Sequence, residues 1–226
     1  MQVDENKLSD AARINLEHGE WGEEDIPLDK HSLYRKIDAT MRAIRPGKVI
    51  ELGCGSGRYL HALHERGWDV LGVDVVSQTA DYIMIADLSQ PLALAPEFDV
   101  VISAETIEHI VDTDRFLRSC AALLKPGGLL ILTTPNLLFG VNRLRMLFGL
   151  RPAFAYADFH VRMFVWADLK EKLERYFIIE RVRGSHVLIG VRRTNLAEAF
   201  SRLGDWLPTL SAHFIVVARK RTVVVG

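Results

Sequence analysis

Glu105-Thr106-Ile107-Glu108-His109 packs two carboxylates and an imidazole into one short stretch. On a helix, positions i, i+3 and i+4 share a face, so Glu105, Glu108 and His109 would converge there. Such a group can do one of two things. Its carboxylates can hold a hard divalent cation such as Mg²⁺, or the imidazole alone can act as a general base or a structural hydrogen-bonder. His160 offers a second base, although a lone histidine is more often structural. His61 and His64 fall on a predicted helix away from any strand end and read as surface residues.

A second chemical feature lies upstream. Val49-Ile50-Glu51-Leu52-Gly53-Cys54-Gly55-Ser56-Gly57 reads as a buried strand, a glycine turn and a helix start. Glycines let a ligand come close to the backbone. In doubly wound sheets the crevice at the carboxyl end of the first strand is where nucleotides sit. Asp74 closes the next strand about 20 residues after the first glycine, where a carboxylate can hold ribose hydroxyls, and Asp87 follows the third strand. A loop that seats a pyrophosphate would place its third glycine at position 58, which is Arg58; here the third glycine is Gly57.

These residues need a frame. Apolar positions Leu33, Ile37, Met41 and Ile44 predict a helix over Ser32–Ile44, ended by Pro46-Gly47. Short apolar runs predict strands at Lys48–Leu52, Asp69–Val73, Ile83–Ile85, Phe98–Ser103 and Leu129–Thr133. Helices are predicted between them at Tyr59–Arg66 and Asp112–Leu124, the latter closed by Lys125-Pro126-Gly127-Gly128. Continuous rather than alternating apolar strands fit a parallel sheet covered on both faces. Beyond Pro135, Leu137–Tyr156 reads as an insertion, followed by a helix at Ala167–Tyr176, a strand at Phe177–Arg183, a helix at Asn195–Leu203 and a strand at Phe214–Lys220.

Composition narrows the classes. The 226 residues are 49% hydrophobic and 25% charged, an ordinary globular balance, and the net charge of -1 gives no basic excess of the kind that grips nucleic acid. The two cysteines, Cys54 and Cys120, form neither a zinc spacing nor a disulfide framework, which fits a reducing cytoplasm. The polar, acidic start is not a signal peptide, and no apolar run approaches the roughly 18 residues of a spanning helix.

The pattern Glu51-x-Gly53-x-Gly55-x-Gly57 resembles motif I of the class I S-adenosylmethionine-dependent methyltransferases, and the resemblance runs from about Ser32 to Lys220. Gly-Val-Asp74 is similar to that family's ribose-binding acid. Ala86-Asp87-Leu88 is similar to its adenine-contacting segment, and Leu124 to Ile131 to its loop and fifth strand. Phe164 to Leu169 resembles a helix start of the family, departing where Val165 stands for a capping hydroxyl. By motif, the ubiquinone-biosynthesis O-methyltransferases are most similar.

The resemblance implies an α/β, Rossmann-like, doubly wound and mostly parallel seven-stranded sheet with an antiparallel last strand. It implies a helical N-terminal segment at 1–47, packed on a methyltransferase domain at 48–226 with a lid insertion at 137–165. The cofactor would be S-adenosylmethionine, bound by Glu51, Gly53, Cys54, Gly55, Gly57, Asp74, Val75, Asp87, Leu88, Ser103 and Ala104. Within that set the glycines would line the methionine part and Glu51 would support its ammonium. Asp74 would take the ribose, Asp87 and Leu88 the adenine edge, and Ser103 and Ala104 would lie beneath the sulfonium. His109 and His160 are the candidate catalytic residues, no residue is assigned to a metal, and Mg²⁺ is the less favoured alternative.

The resemblance implies a small-molecule acceptor, with oxygen expected ahead of carbon or nitrogen, and the absence after strand four of the Asn/Asp-Pro-Pro-Tyr/Phe run of nucleobase-amine methylation lowers a DNA-amine substrate. Leu137 to Arg151 is basic and amphipathic, either a packed lid or a surface that rests on a membrane and admits a lipophilic acceptor. The expected location is the cytoplasm, with no nucleic-acid partner. The rival readings are an RNA or protein methyltransferase, a non-catalytic protein that binds the same cofactor, and a nicotinamide oxidoreductase, which Arg58 opposes.

Overall fold

A computed structural model describes residues 8–9, 32–75, 80–153, 160–187 and 195–222. Apart from Leu8 and Ser9, residues 1–31 of the expected helical N-terminal segment lie outside these, as does part of the expected lid, 154–159.

The strands are β1 (Lys48–Leu52), β2 (Asp69–Asp74), β3 (Ile83–Ile85), β4 (Phe98–Ala104), β5 (Leu124–Pro135), β6 (Phe177–Gly184) and β7 (His213–Lys220). They form one seven-stranded sheet in the order β3-β2-β1-β4-β5-β7-β6. Pairing is parallel from β3 through β5, whereas β7 runs antiparallel to both β5 and β6. The expected architecture is therefore present. The order reverses at β1 and β4, which leave the sheet centre in opposite directions, and a crevice at their carboxyl ends is the usual ligand site of such sheets.

The helices are α1 (Ser32–Met41), α2 (Arg58–His64), α3 (Thr113–Leu123), α4 (Gly140–Leu147), α5 (Trp166–Glu174) and α6 (Asn195–Trp206). Because successive strand residues face opposite sides, the buried strands split into two cores. Val49, Val100, Ile102 and Ile131 pack with Ile37 and Met41 of α1 and Leu60 and Leu63 of α2. Ile50, Val101, Leu130 and Leu132 pack on the other face with Phe116 and Leu117 of α3 and Leu169 and Leu173 of α5. The intervening residue decides each assignment, which is why these strands read as unbroken apolar runs.

Several boundaries differ from the sequence reading. Helix α1 ends at Met41 rather than Ile44, and α6 runs on to Trp206. The largest difference is at β5, which starts at Leu124 rather than Leu129. Leu124 already pairs with Phe98 before the ladder resumes at Val100 and Leu129, so Lys125 to Gly128 bulge out of a continuing strand. The bulge is stapled by Asp99, whose carboxylate accepts from Lys125 Nζ at 2.7 Å and from the Lys48 backbone N–H at 2.8 Å. The stretch 137–153 holds α4 and is one continuous part of the insertion expected there.

Candidate active site

Helix α2 begins where β1 runs into the glycine turn, and Gly53, Gly55 and Gly57 all adopt positive φ (77°, 51° and 71°). At Gly53 two constraints coincide, because any Cβ there would also overlap the side chain of Thr106. Thr106 Oγ1 in turn donates to the Leu52 carbonyl at 2.9 Å, locking the turn to the segment after β4. A Cβ on Gly55 would meet nothing within 4 Å, so the backbone there faces open space. The Gly53 N–H donates to Val73 O at 2.8 Å, and the Gly55 N–H donates to Asp74 Oδ2 at 2.7 Å. The turn is thus held from β2 as well. The Cys54 thiol is buried, and burial pushes its pKa up, so it stays a neutral packing group.

Glu51 is fully buried in β1. Its Oε1 accepts from Tyr34 Oη of α1 at 3.4 Å, while Oε2 has no hydrogen-bond partner. Burial, with the nearby charge of Asp74 adding to it, raises its pKa from 4.5 to about 8. Ser103, at the adjoining end of β4, is also fully buried with an unpartnered Oγ, and Ala104 beside it is buried. Such orphaned atoms are costly unless a ligand satisfies them. Val75 and Leu88 are half-buried at the ends of β2 and of the segment after β3. Asp87 Oδ2 accepts from the Ser9 N–H at 2.9 Å and Oδ1 from the Ser89 N–H at 2.8 Å. Burial raises its pKa, but these N–H donors outweigh that and hold the carboxyl below its ordinary value.

The stretch after β4 departs from the helical reading. Glu105 has φ 51°, a left-handed conformation that breaks any helix there, and only Ile107–His109 forms a 3₁₀ turn. The common face for Glu105, Glu108 and His109 is therefore not formed. Glu105 turns towards β5 and β7: Thr133 Oγ1 donates to its Oε1 at 2.7 Å, and His213 Nε2 lies 3.4 Å from its Oε2. His213 Nδ1 lies 2.9 Å from Ser185 Oγ.

His160 takes the place expected for Glu105. The Val161 and Arg162 N–H groups donate to the Glu108 carbonyl at 3.1 and 3.0 Å, and this brings the His160 ring to 5.0 Å from that of His109. One side-chain ligand atom from each of Glu108, His109 and His160 lies within 4.8 Å of the others, so this trio could hold a cation. Glu108 is buried; its Oε2 accepts from Thr134 Oγ1 at 3.0 Å and its Oε1 has no partner. Burial, then the charge of Glu105, raises its pKa well above 4.5. His61 and His64 are exposed on α2, as expected.

Sequence reasoning missed Tyr34, Thr133, Thr134, Ser185 and His213. Tyr34 sits in register with the apolar positions of its helix, and His213 is brought to Glu105 by a strand pairing that no local signal reports.

The family profile described as "Methyltransferase domain" matches residues 28–176. Over 117 residues the chain is 36% identical to the ubiquinone biosynthesis O-methyltransferase of Bradyrhizobium diazoefficiens, covering 45% of this chain and 46% of that protein. Over 194 residues it is 27% identical to the protein of the same name from Chelativorans sp., covering 77% of this chain and 72% of the other. The chain thus spans about half the length of the first relative and nearly three quarters of the second. A solved 1,6-didemethyltoxoflavin-N1-methyltransferase of Burkholderia thailandensis, with bound 1,6-didemethyltoxoflavin and S-adenosylhomocysteine, superposes with a TM-score of 0.64 over 94% of this chain and 88% of that one. At 17% identity that likeness concerns the fold.

Proposed function

The chain belongs to the S-adenosylmethionine-dependent methyltransferases, and from that premise we propose that it methylates an oxygen nucleophile on a small-molecule acceptor in the cytoplasm. The observation that carries the site assignment is the set of orphaned oxygens at the ends of β1 and β4. Glu51 Oε2 is a buried carboxylate oxygen without a donor, the group that an amino-acid ammonium would satisfy. Gly55 offers open backbone beside it, and Asp74 stands at the end of the next strand, where ribose hydroxyls would reach. Gly53 and Gly57 shape the turn, with Cys54 packed beneath it. In this reading Val75, Asp87 and Leu88 border the adenine, and Ser103 and Ala104 lie under the sulfonium.

The cofactor supplies an electrophilic methyl group. The chain has to orient the acceptor, exclude water and remove the acceptor's proton. His109 is the proposed base, with His160 its partner across a ring separation of 5.0 Å. The described parts of the expected lid, 137–153 and 160–165, are the proposed cover over the acceptor, and Val161 and Arg162 tie the second part to Glu108. A groove lined by Leu138, Val165, Trp166 and Phe214 adjoins it and suits an apolar acceptor.

A second reading has one observation in its favour: the unpartnered Glu108 Oε1 beside two imidazoles could complete a divalent-cation site. Against it, Glu108 gives its other oxygen to Thr134, and its burial favours the protonated carboxyl, which is a poor ligand.

The test is an assay with methyl-labelled cofactor against a lysate separated into lipid, metabolite, RNA and protein fractions. Label in base-labile or ether-linked small molecules is expected. Label confined to RNA or protein overturns the acceptor assignment.

A further inference from the structure

Three glutamates stand about the ends of β1 and β4, and they differ in how their oxygens are met. Glu51 and Glu108 each keep one buried oxygen without a donor, and burial raises the pKa of both, which favours their protonated forms. Glu105 is met on both oxygens: the buried Thr133 donates through Oγ1 to Oε1 at 2.7 Å, and His213 Nε2 lies 3.4 Å from Oε2. Donors aimed at a carboxylate favour its ionised form. Of the three, Glu105 is therefore the standing negative charge.

The donor on the His213 side is prepared by Ser185. The Ser185 Oγ accepts the His213 backbone N–H at 3.2 Å and lies 2.9 Å from Nδ1. An oxygen that already accepts turns its own proton to Nδ1, and this leaves the imidazole proton on Nε2, facing Glu105. The neighbouring His186 ring, 5.9 Å away, is kept neutral chiefly by burial, which lowers its pKa to about 4, so it brings no second charge to the group. Serine, histidine and glutamate stand in the order of a nucleophile relay, but Ser185 is fully buried and cannot reach a substrate. The group works outward instead, towards Glu105, whose side chain keeps 29% exposure.

Glu105 follows directly on Ala104, and its φ of 51° is the one positive φ of a non-glycine residue among the described residues. Strain of that kind persists where the surroundings aim a side chain. Its charge reaches the cofactor side of the crevice: burial, then the charges of Glu51 and Glu105, hold the Tyr34 hydroxyl well above its ordinary pKa.

We propose that Glu105 is the carboxylate that faces the cofactor's sulfonium, and that Ser185 and His213 are the positioning residues that aim it. In the proposed site, on which this rests, Ala104 lies under the sulfonium. A carboxylate one residue on attracts the charged cofactor and not the neutral thioether left after transfer. It thereby sets the preference between the two and helps the product to leave.

The experiment is calorimetric titration of the full chain with S-adenosylmethionine and with S-adenosylhomocysteine, read as the ratio of the two dissociation constants. Glu105→Gln should shift that ratio against S-adenosylmethionine by at least about threefold, the effect of one charge on another about 6 Å away in bulk water. His213→Phe, which has no donor, should do the same. His213→Gln, which keeps an N–H near the Nε2 position, should hold the wild-type ratio. Nitrogen chemical shifts of His213 should report the Nε2–H tautomer in the wild-type chain and a mixture in Ser185→Ala. A ratio that Glu105→Gln leaves unchanged overturns the proposal, and that variant keeps the shape of the side chain should His213→Phe fail to fold. Equal weakening of both ligands in His213→Phe overturns it too, since that marks a merely structural residue. A wild-type chain that binds neither ligand overturns the proposed site itself, a failure seen before any substitution is made.

Discussion

Asp74, at the end of β2, accepts the Gly55 backbone N–H at 2.7 Å and so clamps the glycine turn from the neighbouring strand. The side chain is buried rather than standing in an open crevice. Asp74→Ala should therefore do two things. It should weaken S-adenosylhomocysteine binding by about 1–3 kcal/mol and also destabilise the free protein by about 1 kcal/mol, since the Gly55 donor loses its acceptor. Calorimetric titration and thermal melting measure the two separately. Unchanged affinity would place the ribose elsewhere.

The raised pKa of Glu51 makes cofactor binding a protonic event. In the free protein its carboxyl, with a pKa of about 8 against 4.5 unfolded, binds more protons than the unfolded chain between those values. This contribution to stability is present below pH 4.5 and is lost as pH rises through about 8. An ammonium placed on Glu51 favours the ionised form, so binding should release up to about one proton and affinity should rise up to about tenfold per pH unit towards pH 8. Titrations in buffers of different ionisation enthalpy read this directly. Heats that do not depend on buffer, or a Glu51→Gln variant that still releases the proton, would remove Glu51 from the ammonium site.

His109 as the base and Glu108-His109-His160 as a cation site differ in what a chelator does. Turnover should persist in chelator, and His109→Ala should lose about 10²–10⁴-fold in kcat. Abolition by chelator with rescue by Mg²⁺ would instead establish the cation, and Glu108→Ala should then be as severe as His109→Ala. Glu105→Ala should be milder in either case, because Glu105 points to Thr133 and His213.

Lys36 donates to Gly184 O, Ser201 O and Asp205 from a buried position, tying α1 to β6 and α6. Burial lowers its pKa, although Asp205 opposes the shift. Lys36→Met should cost about 2–3 kcal/mol by stranding those acceptors. The melting temperature should fall by roughly 4–12 °C. A smaller loss would mean that water reaches the acceptors freely.

The strands from β1 to β5, the glycine turn and the acids that follow β2 and β3 were legible because each depends on residues close in sequence. Val49 to Leu52 is a short apolar run bounded by Pro46-Gly47 and by the glycines, which favours a covered strand, and the spacing of Gly53, Gly55 and Gly57 favours a tight turn. The stretch from Glu105 to His109 was not legible. Its helical spacing is real, but the left-handed backbone at Glu105 is set by Thr133 and His213, two residues on other strands. The Lys125-Pro126-Gly127-Gly128 run looks like a helix stop and is one, yet the chain re-enters the sheet at once because Asp99 captures Lys125. His160 was legible as a candidate and not as a neighbour of His109, since that pairing depends on two N–H groups reaching the Glu108 carbonyl.

The sheet order sets the sequence of events during synthesis. Of the seven strands, β7 leaves the ribosome last, yet it lies inside the sheet between β5 and β6. Until His213 to Lys220 have emerged, the β5 edge has no partner on that side, and β6 has no neighbour to pair with. A nascent chain cut short before that point presents a long apolar edge of the kind that recruits other strands, an aggregation hazard that lasts until β7 arrives. The Glu105 to His213 contact has to wait for the same strand, so the segment after β4 gains this partner only once β7 has joined the sheet.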